Sequence, residues 1–158
     1  MPAADDPTAP GVSGVPAAAT ACTIRHRVAF YETDAMGVVH HSNYVRFFER
    51  ARVRWLAEHD QPYTAYVEQG LNFATTHVSI DYLSSARFDD ELSVTVWLEW
   101  VRGASLRMAY RIDCNGSLTA TGVTEHAAIN QAGQVRPIPK ENRTRLLQAS
   151  VLAGGRGQ

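Results

Sequence analysis

A short segment of the chain, residues 34–41, places an acid, a glycine and two histidines directly ahead of a predicted helix. Asp34 follows the end of a predicted strand, Gly37 lies within a loop, and His40 and His41 precede the helix. The first N–H groups of a helix have no partner within it, and they form a positive end that suits a developing negative oxygen. A carboxylate beside such a helix end supplies two parts of an acyl-transfer site.

The elements that position this segment are predicted by the spacing of apolar residues. Alternation over 23–32 predicts a strand, with Phe30 on its apolar face. Apolar residues at steps of about three and four over 44–59 predict a helix, whose first N–H groups Ser42 or Asn43 can cap. The apolar stripe of this helix is wide, and we therefore expect it to lie deep against a sheet.

The remainder of the chain predicts long antiparallel strands. A short helix over 63–69 precedes them, a strand over 118–130 is the last of them, and a terminal helix over 139–152 follows. Asn115-Gly116 between two alternating runs predicts a hairpin, because both residues tolerate positive φ. We expect an α+β fold in which an antiparallel sheet of about five strands, paired consecutively, wraps around one long central helix. Proteins seldom leave a long sheet edge bare, so we also expect a homo-oligomer.

Length and composition predict a single globular domain and argue against a nucleic-acid-binding or membrane-spanning protein. The 158 residues suit one domain, which we place at 22–152 between a disordered leader at 1–21 and a flexible tail at 153–158. The formal net charge of −1 gives no field for holding nucleic acid, and no apolar run approaches the ~20 residues that span a membrane. Cys22 and Cys114 are predicted to be free thiols in a reducing compartment, the cytoplasm. No spacing of Cys and His predicts a metal site, and we predict no cofactor.

The segment around Asp34 closely resembles the signature of the 4-hydroxybenzoyl-CoA thioesterase family. Residues 31–52 read YETDAMGVVHHSNYVRFFERAR, and the family pattern is an Asp, two residues, a Gly and then V-x-H-x-x-Y or a near variant. Residues 81–92, DYLSSARFDDEL, resemble the family pattern Y-x-x-P-A-R-x-x-D-x-L, with Ser85 where proline is frequent. Residues 102–106 resemble its next hairpin, and the whole resemblance covers about 24–139.

The resemblance implies a hotdog fold and hydrolysis of a thioester. It implies that Asp34 acts as nucleophile or as general base, and that the backbone N–H of His41 polarises the thioester carbonyl. Gly37 then keeps the loop close to the substrate, and His40 orients the substrate or takes part directly. Such a sparse site suffices, because a simple thiol has a pKa of about 8.5 and leaves readily as a thiolate.

Six further residues are candidates for substrate binding, each with an alternative structural role. A helix aromatic is often core, a helix glutamate often pairs with a basic residue, and a strand histidine is often half-buried packing. The basic and hydroxyl residues, with Lys140, are candidates for gripping the CoA phosphates or are solvated surface groups. The six are Tyr44, Glu49, His77, Arg87, Arg102 and Ser105.

The same residues leave several functions open. Hydrolysis of an acyl-carrier-protein thioester would use the same site, and a non-catalytic acyl-CoA sensor would need no carboxylate at position 34. A hydratase of this fold would want a D-x-N-P-x-H stretch, which the sequence lacks. The acyl group, the role of Asp34 as nucleophile or base, and assembly as a dimer or a dimer of dimers (a homotetramer) also remain open.

Overall fold

The computed structural model describes residues 14–16 and 20–151. The predicted tail at 153–158 and most of the predicted leader at 1–21 lie outside these residues. Within the described part, the first strand already begins at Ala21 and Thr20 accepts a hydrogen bond from the Trp55 indole N–H (2.8 Å). Ala21, which the prediction placed at the end of the leader, is therefore the first residue of this strand.

One antiparallel sheet of five strands and three helices make up the described chain. The strands lie in the order β1-β3-β4-β5-β2, and all neighbours are antiparallel. The elements are β1 (Ala21–Arg27), a 3₁₀ turn (Phe30–Glu32), α1 (Asn43–His59), α2 (Tyr63–Glu68), β2 (Leu71–Tyr82), β3 (Glu91–Arg102), β4 (Ser105–Cys114), β5 (Ser117–Asn130) and α3 (Lys140–Ala149). The predicted α+β fold of about five strands and one long helix is confirmed, but consecutive pairing is wrong for β2, which pairs with β5.

The first strand is shorter than predicted. It ends at Arg27, and Phe30 is 76% exposed instead of facing the core. The cause is the buried carboxylate of Glu32, which accepts a hydrogen bond from the backbone N–H of Ala29 and lies against Nε2 of His26, both at 2.8 Å. Because the backbone N–H of Ala29 is bonded to this carboxylate and not to a neighbouring strand, the chain leaves the sheet and forms the 3₁₀ turn.

The central helix packs mainly over β1 and β3. Phe48 stacks on Tyr110 with ring centroids 4.2 Å apart, and its ring lies so close to Gly122 that an added Cβ there would come within 2.6 Å. The side chains of Ser42 and Asn43 do not cap the first N–H groups of this helix as predicted. The side chain of Ser42 makes no capping bond and lies against His40, while that of Asn43 donates to the carbonyl of Glu32.

Strand β2 forms one edge of the sheet, so its outer side has no partner within the described chain. Residues 75–79 are exposed, and Val78 on the helix-facing side of the sheet remains 39% exposed. The helix leaves this part of the sheet largely uncovered, because it lies toward the opposite edge. The inner face of β2 around Val78 is therefore only partly covered. Among the described residues, no helix is long and apolar enough to cross a membrane.

Candidate active site

The loop that carries Asp34 is a tight turn closed by its own backbone. The N–H of Asp34 donates to the carbonyl of Val38 (3.0 Å), and the N–H of Gly37 donates to the carbonyl of Asp34 (2.9 Å). The carboxylate of Asp34 accepts the N–H of Met36 at 2.8 Å. Gly37 has φ of +74°, a conformation in which a side chain is strained. The predicted need for glycine here thus comes from the backbone conformation.

Three hydrogen bonds hold this loop against the rest of the fold. The N–H of Val39 donates to the carbonyl of Ala86 (2.8 Å), which fixes the loop to the segment after β2. The carbonyl of Glu32 accepts both the N–H of His40 and the side-chain amide of Asn43, each at 2.8 Å. The buried side chain of Asn43 thereby ties the first turn of α1 to the chain just before Asp34. Such rigid support is what a pre-organised site requires.

The backbone N–H of His41 is a free donor at the entrance to α1. It has no acceptor among the described residues, whereas the N–H groups of His40 and Ser42 on either side are both bonded. The carbonyl of His41 accepts a hydrogen bond from the Tyr82 hydroxyl at 3.0 Å and a longer one from the N–H of Tyr44 at 3.4 Å. The unpaired N–H lies at the positive end of the helix, where a negative oxygen is stabilised.

One cleft of about 280 Å³ brings these groups together. Of the predicted residues, it contains Asp34, His41 and Tyr44. Its remaining lining comes from the loop and from the end of β2 with the residues that follow, namely Met36, Val38, Val39, Tyr82, Leu83, Ser84 and Ser85. Burial raises the pKa of both Tyr44 and Tyr82, so their hydroxyls stay protonated at neutral pH. The cleft is thus lined by the residue that carries the carboxylate, by the residue whose N–H has no acceptor in the described part of the chain, and by two tyrosines.

Two predicted residues lie beside the cleft rather than in its lining. The ring of His40 contacts that of His41, with centroids 4.1 Å apart, and its Nδ1 lies 2.7 Å from the Ser42 hydroxyl. The Arg87 guanidinium donates to the carbonyl of Gly37 at 3.4 Å and so contacts the loop from outside. His40 and Arg87 are therefore placed to support the loop.

Four other predicted residues are not brought to the cleft within this chain. Glu49 is exposed on the outer surface of α1, where its nearest ionic partner is Arg52 at 3.8 Å. His77 pairs with Glu125 on the sheet face away from the helix and is exposed, so the half-buried packing expected for it is wrong.

The remaining two, Arg102 and Ser105, flank the β3–β4 turn. Ser105 pairs with Ala127, which pairs with Ala74, and this level of the sheet lies near the start of β2, far from Tyr82 at its end. The Arg102 guanidinium lies over the Trp100 ring at 4.4 Å.

Tyr82 and Asn43 are the site residues that sequence reasoning missed. Tyr82 stood within the segment that resembles the family pattern, and its period-two spacing with Ile80 gave the correct face of the strand. Nothing local indicates that this strand end meets the helix entrance. Asn43 was considered only as a cap, whereas its side chain bonds a carbonyl eleven residues earlier.

Among the described residues, no group of three or more His, Cys, Asp or Glu side chains is arranged to hold a metal.

Comparison with known proteins places this arrangement in a family. The model of the Thioesterase-like superfamily matches residues 28–149. The acyl-CoA thioesterase YbgC of Haemophilus influenzae is 36% identical over 118 residues, which cover 73% of this chain and 86% of that protein. The 1,4-dihydroxy-2-naphthoyl-CoA hydrolase of Synechococcus is 33% identical over 128 residues, covering 77% and 97%. The crystal structure of a hypothetical protein from Thermus thermophilus matches with a TM-score of 0.76 and 31% identity, covering 80% and 95%.

These matches confirm the hotdog fold and the enzyme class, a thioester hydrolase. They do not single out the 4-hydroxybenzoyl-CoA branch, since the curated relatives include enzymes named for other acyl groups. The family model covers most of the domain, from the end of β1 to the last residue of α3. The chain belongs to the Thioesterase-like superfamily.

Proposed function

We propose that this chain hydrolyses acyl-CoA thioesters to a free acid and CoA, with Asp34 as the catalytic carboxylate and the His41 N–H as the oxyanion donor. The observation that carries the proposal is that one cleft is lined by both residues, while the His41 N–H has no acceptor among the described residues. The names of the relatives in Haemophilus and Synechococcus support the reaction class and a CoA thioester as substrate.

The chemistry follows from these two groups. The thioester carbonyl accepts the His41 N–H, which stabilises the negative oxygen that forms on attack. In one route, an oxygen of Asp34 attacks the carbonyl carbon, the C–S bond breaks, and water then cleaves the resulting anhydride. In the other, Asp34 takes a proton from water, the hydroxide adds to the carbonyl carbon, and the C–S bond breaks. The thiolate departs in both routes without an acid, because a thiol pKa of about 8.5 makes it a good leaving group.

The remaining predicted residues are given roles according to where they lie. Gly37 and Arg87 hold the loop, Tyr44 forms an apolar wall for the acyl group, and His40 orients the loop and the substrate.

In the same proposal, the unpaired edge of β2 pairs with the same edge of a second copy. A two-fold axis near the middle of β2 would set residue 82 of one copy opposite about residue 71 of the other.

Such pairing would bring the far end of the partner sheet to each cleft. The β3–β4 turn, with Arg102 and Ser105, lies at that end, so this pairing would bring those residues toward Asp34 of the other copy. Assembly as a dimer or a dimer of dimers would also shield the exposed Val78. Light scattering coupled to gel filtration tests this part, and a monomer at micromolar concentration would contradict it.

The cytoplasm is the proposed location, because the buried thiols of Cys22 and Cys114 are both free.

The function itself is tested by release of free thiol from a panel of aliphatic and aromatic acyl-CoAs, including 4-hydroxybenzoyl-CoA. Parallel assays with acyl-carrier-protein thioesters decide between the two carriers. Tight binding of acyl-CoA with no thiol release from any substrate would refute hydrolysis and support a sensor. Single turnover in ¹⁸O-labelled water identifies the nucleophilic route when ¹⁸O enters Asp34, because only water that attacks the Asp34 carbonyl carbon of an anhydride leaves its oxygen there.

A further inference from the structure

Tyr82 is the only side chain in the described structure that hydrogen bonds to the backbone of His41. Its hydroxyl donates to the His41 carbonyl at 3.0 Å, and it makes no other hydrogen bond in the described structure. It stands at the last position of β2, on the sheet face toward the helix, and it is 50% exposed in the cleft. This hydrogen bond therefore joins a strand end to a helix entrance forty-one residues away in sequence.

The His41 backbone needs such support. Residue 41 precedes the first helical residue, Asn43, so its own N–H is not held by the helix. Within residues 20–151, its carbonyl accepts a long 3.4 Å bond from the N–H of Tyr44 and no other besides the bond from Tyr82. The N–H and the carbonyl of one residue share a Cα, so holding the carbonyl limits the rotation that would swing the N–H away from the substrate.

The surroundings of Tyr82 keep its hydroxyl in place as a donor. Its ring meets the ring of buried Tyr44 edge-on, with centroids 5.1 Å apart, and this contact fixes the direction of the hydroxyl. Burial raises its pKa, so the proton needed for the hydrogen bond is retained across the neutral and mildly alkaline range.

We propose that Tyr82 is a positioning residue, which holds the His41 N–H toward the thioester oxygen through its hydrogen bond to the His41 carbonyl. The proposal rests on the proposed function, since it assigns a support to the oxyanion donor. It requires no contact between Tyr82 and the reacting atoms. Loss of the hydroxyl should therefore impair the chemical step more than substrate binding.

Tyr82→Phe is the direct test, because it removes one oxygen and keeps the ring against Tyr44. We expect kcat to fall about tenfold to a hundredfold, somewhat less than the loss of an oxyanion donor itself, with KM within about twofold. The matched control is Thr23→Val, which also removes one hydroxyl and keeps the size of the side chain. The Thr23 hydroxyl lies 2.8 Å from the Thr95 hydroxyl between β1 and β3, at the sheet edge opposite β2. This variant should keep both kcat and KM.

A second readout does not depend on turnover. In ¹H–¹⁵N spectra, Tyr82→Phe should shift the His41 and Ser42 amide signals and speed hydrogen exchange at His41, whereas Thr23→Val should leave both unchanged. Wild-type kcat in Tyr82→Phe, or unchanged amide signals, would overturn the proposal. If the wild-type protein itself releases no thiol, the proposed function fails, while the amide signals still decide whether Tyr82 positions His41.

Discussion

Removing the charge at position 34 without changing its shape is the sharpest test of the site. Asp34→Asn keeps an oxygen that can accept the N–H of Met36, the 2.8 Å bond made by the native carboxylate. The two backbone bonds that close the turn, from Asp34 to Val38 and from Gly37 to Asp34, do not involve the side chain. We therefore expect the turn and the fold to persist, with a melting temperature within a few degrees of the wild type.

The magnitude follows from what the amide cannot do. An amide neither attacks a thioester as readily as a carboxylate nor takes a proton from water, so both routes lose their base or nucleophile. We expect kcat to fall at least ~10²-fold, measured as thiol release under saturating acyl-CoA. Asp34→Ala should lose a similar factor in kcat, and it should also lose about 0.5–1.5 kcal/mol of stability with the bond to Met36.

The control is the same substitution on the opposite face of the sheet. Asp81 precedes Tyr82 in the strand, yet its side chain lies on the face away from the helix. Asp81→Asn should therefore retain kcat within about threefold, because it changes the same net charge without touching the cleft. Near-wild-type kcat in Asp34→Asn, or an equal loss in both variants, would refute the assignment of Asp34.

Three further variants test other parts of the structure. Gly37→Ala should lose about 1–2 kcal/mol in thermal unfolding and lower kcat, because φ is +74°; space is not limiting, since the added carbon would lie 3.5 Å from Arg87. Gly122→Ala should cost about 1–3 kcal/mol in urea unfolding, because the added carbon meets the Phe48 ring at 2.6 Å. Burial, with a smaller contribution from a nearby arginine, lowers the pKa of His126 from its usual 6.5 to about 3, so the unfolded state binds more protons between these values and stability should fall as pH drops from 6.5 toward 3. His126→Gln should flatten that part of the pH dependence of the urea midpoint, and an unchanged slope would contradict it.

Local patterns predicted the elements well where local forces decide them. The long helix, predicted over 44–59, is observed at Asn43–His59 because its apolar stripe alone defines it. Asn115 and Gly116 both adopt positive φ, as the hairpin prediction requires. The residues around Asp34 were found because their spacing within one loop matches a known pattern.

The errors arise where particular side-chain bonds or the order of the strands, and not the spacing of apolar residues, decide the structure. Alternation over 23–32 predicted a longer strand, but the side chain of Glu32 captures the backbone of Ala29 and is itself held by His26. Placement of Arg102 and Ser105 depends on which strand β2 joins, and periodicity carries no information on strand order. The role of Tyr82 was missed for the same reason, since it depends on a contact across the fold.

The pairing of β2 with β5 has a consequence for how the protein is made. On the ribosome, β2 emerges well before β5, its only strand partner in the described chain, and β3 and β4 are synthesised between them. The part of the cleft formed by Tyr82 at the end of β2 thus cannot take its place in the sheet until the chain has been synthesised through Asn130. Until then, β2 has neither edge paired, and a nascent strand in that state is open to aggregation and is a natural target for chaperones.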